Sequence, residues 1–272
     1  MGEFIRVSTE NRQGGLIGVV TLTRPELHNA FNEVMIAELQ DAFGQFNKNS
    51  DVRAVILQGE GKSFCAGADL NWMKKMVDYT FEQNVDDAHA LSRMLSSIAH
   101  CPKPVIARIH GAAFGGGVGL IAACDMAIAT ESATFCLSEV KLGLLPAVIS
   151  PFVLRKIGQS AAQRYFITAE RFSAPEAKRI GLLSEVVPDV QSLDAAIDSL
   201  LAAIVGNGPE AISQCKVLLE QVFHIDWDRA VDITTKMIAE RRISKEGQEG
   251  MKAFLEKRTP AWLPEKPSVV QG

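Results

Sequence analysis

Three short segments of the chain carry residue types that could do chemistry. The densest is Gly115-Gly116-Gly117, set between a strand-like run and an apolar helix-like run. Glycines at a strand-to-helix turn let a ligand approach the backbone, and they leave helix N-terminal amides free to bind an oxygen carrying negative charge. Donors of that kind make an oxyanion hole or a phosphate cradle. Close helix–strand packing explains three glycines equally well, and neither a Walker loop nor GxGxxG fits the spacing. The second segment, Ser63-Phe64-Cys65-Ala66-Gly67-Ala68-Asp69-Leu70, is another small-residue turn, with Asp69 able to cap the helix it opens. Two such turns could aim two backbone donors at one carbonyl, the geometry that stabilises an enolate in thioester chemistry. The third is Glu139, in FCLSEVKLGLLP. Buried among apolar neighbours, a carboxyl has a raised pKa and can both take and give a proton. On charge statistics alone, a surface glutamate paired with Lys141 is the commoner outcome.

The elements that must position these residues alternate between strands and helices. Leu16–Leu22 reads as a strand, and Asn29 offers an N-cap for a helix carrying Met35, Leu39, Phe43 and Phe46 at three- and four-residue steps. AVILQ after Arg53 is a second buried strand, and Ala88, Leu91, Leu95 and Ile98 again keep helical spacing. Pro102 and Pro104 forbid a helix before the short strand Val105–Ile109, and Met126–Ala129 and Thr134–Leu137 are further strand candidates. This alternation argues an α/β domain. From about residue 191 the pattern turns helical, in SLDAAIDSLLAAIV, PEAISQCKVLLEQV, roughly 226–242 and EGMKAFLEKR, and the tail after Pro260 is expected to be extended. A boundary near residue 195 separates an α/β core, 1–195, from a helical region, 196–272.

Composition bounds the function. The chain has 272 residues, 28 Lys+Arg against 32 Asp+Glu, 47% hydrophobic and 22% charged residues, so a disordered or collagen-like chain is excluded. A net charge of −4 with no basic run predicts no nucleic-acid partner. The longest uncharged stretch, 111–124, is rich in glycine and shorter than the roughly 20 residues a membrane helix needs, so no membrane is expected. Five widely spaced cysteines without a CxxC predict neither a disulfide set nor a metal site, and they point to a reducing compartment, read as cytoplasmic. No targeting segment is read at either end.

SFCAGADL, HGAAFGGGVGL, ACDMAIA and FCLSEVKLGLLP, in this order and spacing, resemble the crotonase superfamily of enoyl-CoA hydratases and isomerases, from about Leu16 to Arg258. The resemblance implies a crotonase-like spiral of repeated strand-strand-helix units with a C-terminal helical trimerisation region, assembled as a homotrimer or as a hexameric dimer of trimers. It implies that the Ala68 and Gly116 N–H groups form the oxyanion hole for an acyl-CoA thioester, and that Glu139 exchanges a proton with the acyl chain. By the same matching, Ala66, Ala68, Asp69, Leu70 and Asn71 lie along CoA, with Arg24, Leu27 and His28 nearby. Phe254 and Lys257 match positions that close over CoA, often from a neighbouring subunit. CoA is part of the substrate, and no separate cofactor is implied.

Two departures stand out. Hydratases with paired glutamates carry the first one two residues after the three glycines, where this chain has Gly119, and the glycine-rich stretch after the second glutamate is here Pro146-Ala147-Val148-Ile149-Ser150-Pro151. ADLNWMKKM, GGGVGL and PAVISPF nevertheless resemble the branch assigned as methylglutaconyl-CoA hydratase, in leucine or isoprenoid degradation. Hydration of a 2-enoyl-CoA is therefore the first expectation, isomerisation of a 3-enoyl-CoA the second, and a non-catalytic acyl-CoA-binding subunit the third. Asp78, Tyr79, Glu82 and Asp86 form a polar stretch that could cover the acyl pocket and supply a carboxylate in place of the missing one. His110 and Asp125 read as structural, and Trp72 and Met73 as pocket wall or core.

Overall fold

The structure is a computed structural model and describes residues 2–223 and 225–263. The expected extended tail after Pro260 therefore lies, beyond Leu263, outside the described residues. β1 (Ile5–Arg12) and β2 (Gly15–Leu22) form an antiparallel hairpin. β2 then pairs in parallel with β3 (Val52–Gly59), and β5 (Val105–Ile109), β7 (Met126–Thr130) and β10 (Glu185–Val187) continue the parallel sheet in that order. β3, β5 and β7 are each followed by a short strand that crosses to a second sheet. β4 (Ser63–Cys65), β6 (Ala112–Phe114) and β8 (Thr134–Cys136) run parallel there, and β9 (Phe172–Ser173) closes the edge antiparallel.

Helices complete each unit: α2 (Leu70–Met76) and α3 (Phe81–Ala99) after β4, α4 (Gly116–Ala123) after β6, and α5 (Ser150–Thr168) after β8. The strand-strand-helix repeat is thus visible three times in succession. α1 (Glu33–Lys48) packs against α3 over one face of the large sheet. After α6 (Ala174–Arg179), α7 (Val190–Gly206) covers the other face, where Leu193, Ile197 and Leu201 meet Ile17, Ala54, Ile56, Ile106 and Ile128. Alternation along β3 explains how both cores are fed: Ala54 and Ile56 point to α7, while Val55 and Leu57 join the main core. Residue 195, where the sequence suggested a boundary, falls inside α7.

α8 (Pro209–Val222), α9 (Trp227–Ile243) and α10 (Lys245–Leu255) follow close to their expected limits. Lys216 ties α8 to the core by reaching the Asp125 carboxylate at 2.6 Å, and Asp125 also accepts the Val105 N–H at 2.7 Å, so Asp125 has the structural part expected of it. No residue of α8 or α9 is buried among the described residues, and Leu219, Trp227, Ile238 and Ile243 are exposed.

One expected cap is corrected. Asn32, not Asn29, opens α1, accepting the Met35 N–H at 3.1 Å. Residues 25–27 form a tight 3-10 turn, and Asn29 beyond it is buried with φ of 56°. Its side chain donates to the carbonyls of Glu60 (2.8 Å) and Ser63 (2.9 Å) and accepts the Arg24 N–H (3.0 Å). A side-chain amide bonded to three backbone groups is a clasp between segments, and the cap falls to Asn32.

Candidate active site

The small sheet brings the three chemical segments together. Its parallel register sets Cys65 opposite Ala113 and Phe114 opposite Cys136, so the chain leaves β4, β6 and β8 at the same end, three adjacent exits carrying Ala68, Gly116 and Glu139. Ligands of α/β proteins bind at this carboxyl end of parallel strands, where the turns converge. Gly115 locks the middle exit by donating its N–H to Cys136 O at 2.8 Å.

The Ala68 turn is held from below. Phe31 donates its N–H to Gly67 O at 2.8 Å, and its carbonyl accepts the Asp69 N–H at 2.9 Å. In this bridge, the intervening residue Ala68 turns its own N–H away from Phe31, and among the described residues that N–H has no acceptor. Gly67 takes φ of +92°, and a Cβ there would lie 2.8 Å from Phe114 O and 3.4 Å from Gly116 N, so only glycine lets the two turns meet. Gly116 is the first residue of α4, and its N–H has no intrahelical acceptor. Two free amides on touching turns can polarise one carbonyl oxygen.

Asp69 sits beneath this turn, buried. Its Oδ1 caps α2 by accepting the Asn71 N–H (2.7 Å) and the Trp72 N–H (3.3 Å), and its Oδ2 pairs with Arg24 Nη2 at 2.7 Å. Burial acts to raise this carboxyl, but the Arg24 guanidinium and the two helix amides outweigh it and hold Asp69 below the ordinary carboxylate range. Arg24, expected beside CoA, is itself buried. It also donates to Ala30 O at 2.6 Å and stacks 4.3 Å from the Phe4 ring centroid, so its charge is committed within the chain.

The other residues expected along CoA fall into two groups. Leu27, His28, Leu70 and Asn71 are exposed around the same turn, with Ala66 half-buried and its N–H donating to His28 O at 2.9 Å. His28 Nδ1 lies 3.0 Å from Ser63 Oγ. Phe254 and Lys257 stand apart on and after α10, whose principal packing neighbours are α8 and α9, and Phe254 is 83% exposed.

Glu139 opens a 3-10 turn, Glu139–Leu142, and is half-buried. A Cβ built on Gly115 would lie 3.3 Å from its Oε1, which sets the carboxylate directly against the glycine turn. Its Oε2 is buried without a hydrogen-bond partner, and no ion pair with Lys141 forms among the described residues. Burial pushes this carboxyl up from its ordinary value. A raised, unpartnered carboxyl beside two free amides can take a proton from, and return it to, a carbon framework whose carbonyl those amides hold.

The two departures noted in the sequence are one feature in space. A Cβ on Gly119 would lie 2.3 Å from Ile149 Cγ2 and 2.9 Å from Ile149 Cβ, so the altered stretch after Glu139 fills the place a side chain on Gly119 would take. Gly119→Ala is therefore expected to lose roughly 1–3 kcal/mol of stability through overpacking. A lower urea midpoint would show the loss, and Ile149→Ala in the same chain is expected to recover part of it. The suggested replacement carboxylates Asp78, Glu82 and Asp86 are exposed; Asp87 is the one turned inward, accepting Trp72 Nε1–H at 3.1 Å. Trp72 is core, as read, and His110 donates Nε2–H to Gly61 O at 2.8 Å. Sequence reasoning missed Phe31; its only signal was a large apolar residue directly after a polar turn.

Known proteins resemble this chain in sequence and fold. The sequence profile of the enoyl-CoA hydratase/isomerase family matches residues 12–265. An enoyl-CoA hydratase from Shewanella pealeana, solved by crystallography, superposes with a TM-score of 0.91 at 44% identity, covering 96% of each chain. A short-chain-enoyl-CoA hydratase of Clostridium acetobutylicum is 34% identical over 246 residues, 90% of this chain and 93% of the other. A peroxisomal Δ(3,5)-Δ(2,4)-dienoyl-CoA isomerase of Arabidopsis thaliana is 32% identical over 268 residues, 95% of each. The fold is that of the crotonase superfamily. Within it, the chain belongs to the enoyl-CoA hydratase/isomerase family and is an enzyme of that family. No helix among the described residues is long and apolar enough to cross a membrane.

Proposed function

We propose that the protein hydrates a 2-enoyl-CoA thioester, with a branched or short acyl chain such as methylglutaconyl-CoA. The observation that carries this reading is the convergence of the Ala68 and Gly116 amides with the Glu139 carboxylate at three adjacent strand ends. The thioester oxygen accepts both N–H groups. Glu139 takes a proton from water as the water oxygen bonds to C3, negative charge gathers on the thioester oxygen, and the protonated Glu139 returns its proton to C2. One proton is borrowed and repaid, so one carboxyl suffices, and CoA enters as part of the substrate with no separate cofactor.

The filled space at Gly119 favours a second reading. A single carboxyl can also take a proton from C2 of a 3-enoyl-CoA and return it to C4, which moves the double bond without water. Incubation with 2-enoyl- and 3-enoyl-CoA substrates, including 3-methylglutaconyl-CoA, separates the two. Loss of conjugated-thioester absorbance with a mass gain of one water supports hydration, whereas new conjugation at unchanged mass replaces it with isomerisation. The uncovered apolar residues of α8 and α9, with Phe254 and Leu255 on α10, support assembly as a trimer or hexamer, which sedimentation equilibrium reads as mass. Four buried, unpaired cysteines fit a reducing, cytoplasmic setting.

A further inference from the structure

We propose that Phe31 is the positioning residue that sets the separation of the two backbone donors, an inference that rests on the reading of Ala68 and Gly116 as the thioester's partners. Phe31 touches both turns by different means. Its backbone brackets Ala68, through the bonds to Gly67 O and from Asp69 N–H, and so fixes the direction of the Ala68 amide. Its ring meets the other turn: a Cβ on Gly116 would lie 2.3 Å from Phe31 Cζ and 2.8 Å from Cε1. The ring thus rests directly on the Gly116 backbone, with no side chain between them.

The ring cannot easily retreat. It is 1% exposed, and Trp72 stands beside it with ring centroids 6.0 Å apart and planes tilted by 56°. Trp72 is anchored in turn at both ends, its N–H on Asp69 Oδ1 and its Nε1–H on Asp87 Oδ1. Asp69 therefore holds the backbone on one side of Phe31 and the indole beside its ring. A rigid spacer of this kind matters because donors must sit about 2.7–3.1 Å from the oxyanion. A misplacement of about 1 Å can cost on the order of 10²-fold in rate.

Phe31→Leu keeps the backbone bridge and shortens the spacer. It is expected to lower kcat by roughly 10- to 10²-fold with KM changed by less than about threefold, since Phe31 is not among the residues expected along CoA. Binding of a cinnamoyl-CoA gives a readout that packing loss alone would not move: its absorption shifts to longer wavelength as the carbonyl is polarised. The wild-type shift should be reduced in Phe31→Leu and intermediate in Phe31→Met, which preserves more buried volume and serves if the leucine variant does not fold. Phe46→Leu, whose ring packs on Gly18 of β2, controls for lost core volume and should keep the full shift. No shift in the wild type would overturn the donor reading itself. A wild-type shift that persists in the Phe31 variants, whatever happens to kcat, would overturn the positioning role of Phe31.

Discussion

Glu139→Gln is expected to lower turnover on the enoyl-CoA substrate by about 10²- to 10⁴-fold while sparing substrate binding. The substitution keeps the shape of the side chain against Gly115 and removes its ability to accept a proton. Steady-state kinetics with equilibrium binding of the same thioester would check this, and unchanged turnover would remove Glu139 from the mechanism. The variant also carries a stability signature. Burial raises the Glu139 carboxyl in the folded chain, so ionising it costs the fold. That cost is absent below the ordinary glutamate pKa of about 4.3 and is complete once pH exceeds the raised value. Glutamine is neutral throughout. The variant should therefore gain stability relative to the parent as pH is taken from 4 to 7, a gain that melting temperatures at the two values would reveal. The acid limb of the wild-type rate should lie above the ordinary glutamate range for the same reason.

Arg24→Met is expected to cost about 3–5 kcal/mol, because it leaves the buried Asp69 carboxylate without its cation. Denaturant unfolding would give the size of the loss. Its pH dependence follows from Asp69, whose carboxyl is held below the ordinary range in the parent. The stabilisation from that pairing is present above the unfolded-chain value of about 3.9 and fades as pH falls through the lowered folded value. The gap between parent and variant should accordingly be widest near neutral pH and narrow in acid. Activity should fall with stability, since Asp69 adjoins Ala68 and caps α2. A variant as stable as the parent would mean that the pair is not the strut of this turn.

What the sequence made legible was whatever a local pattern fixes. The run AVILQ announced a strand buried on both faces, Asp69 announced the cap of α2, and four ordered motifs announced the family. β1 went unread because its residues are mostly exposed and polar, so no apolar alternation marks it; only pairing with β2 makes it a strand. Asn29 and Asn32 offer the same side chain to a cap, and the choice between them is made by carbonyls at Glu60 and Ser63, some thirty residues away. Phe31 and Ile149 escaped for the same reason. Phe31 matters through Gly67, Asp69 and Gly116, and Ile149 through Gly119, all distant in the chain, and spacing along a single sequence does not encode such contacts.

The meeting of Gly119 and Ile149 bears on how such a site could change over generations. A glutamate arriving first at position 119 would collide with a stiff branched side chain, and a smaller residue arriving first at 149 would open a void beside α4. The isoleucine therefore couples the two positions, so that a larger residue at 119 is accommodated only together with a smaller one at 149.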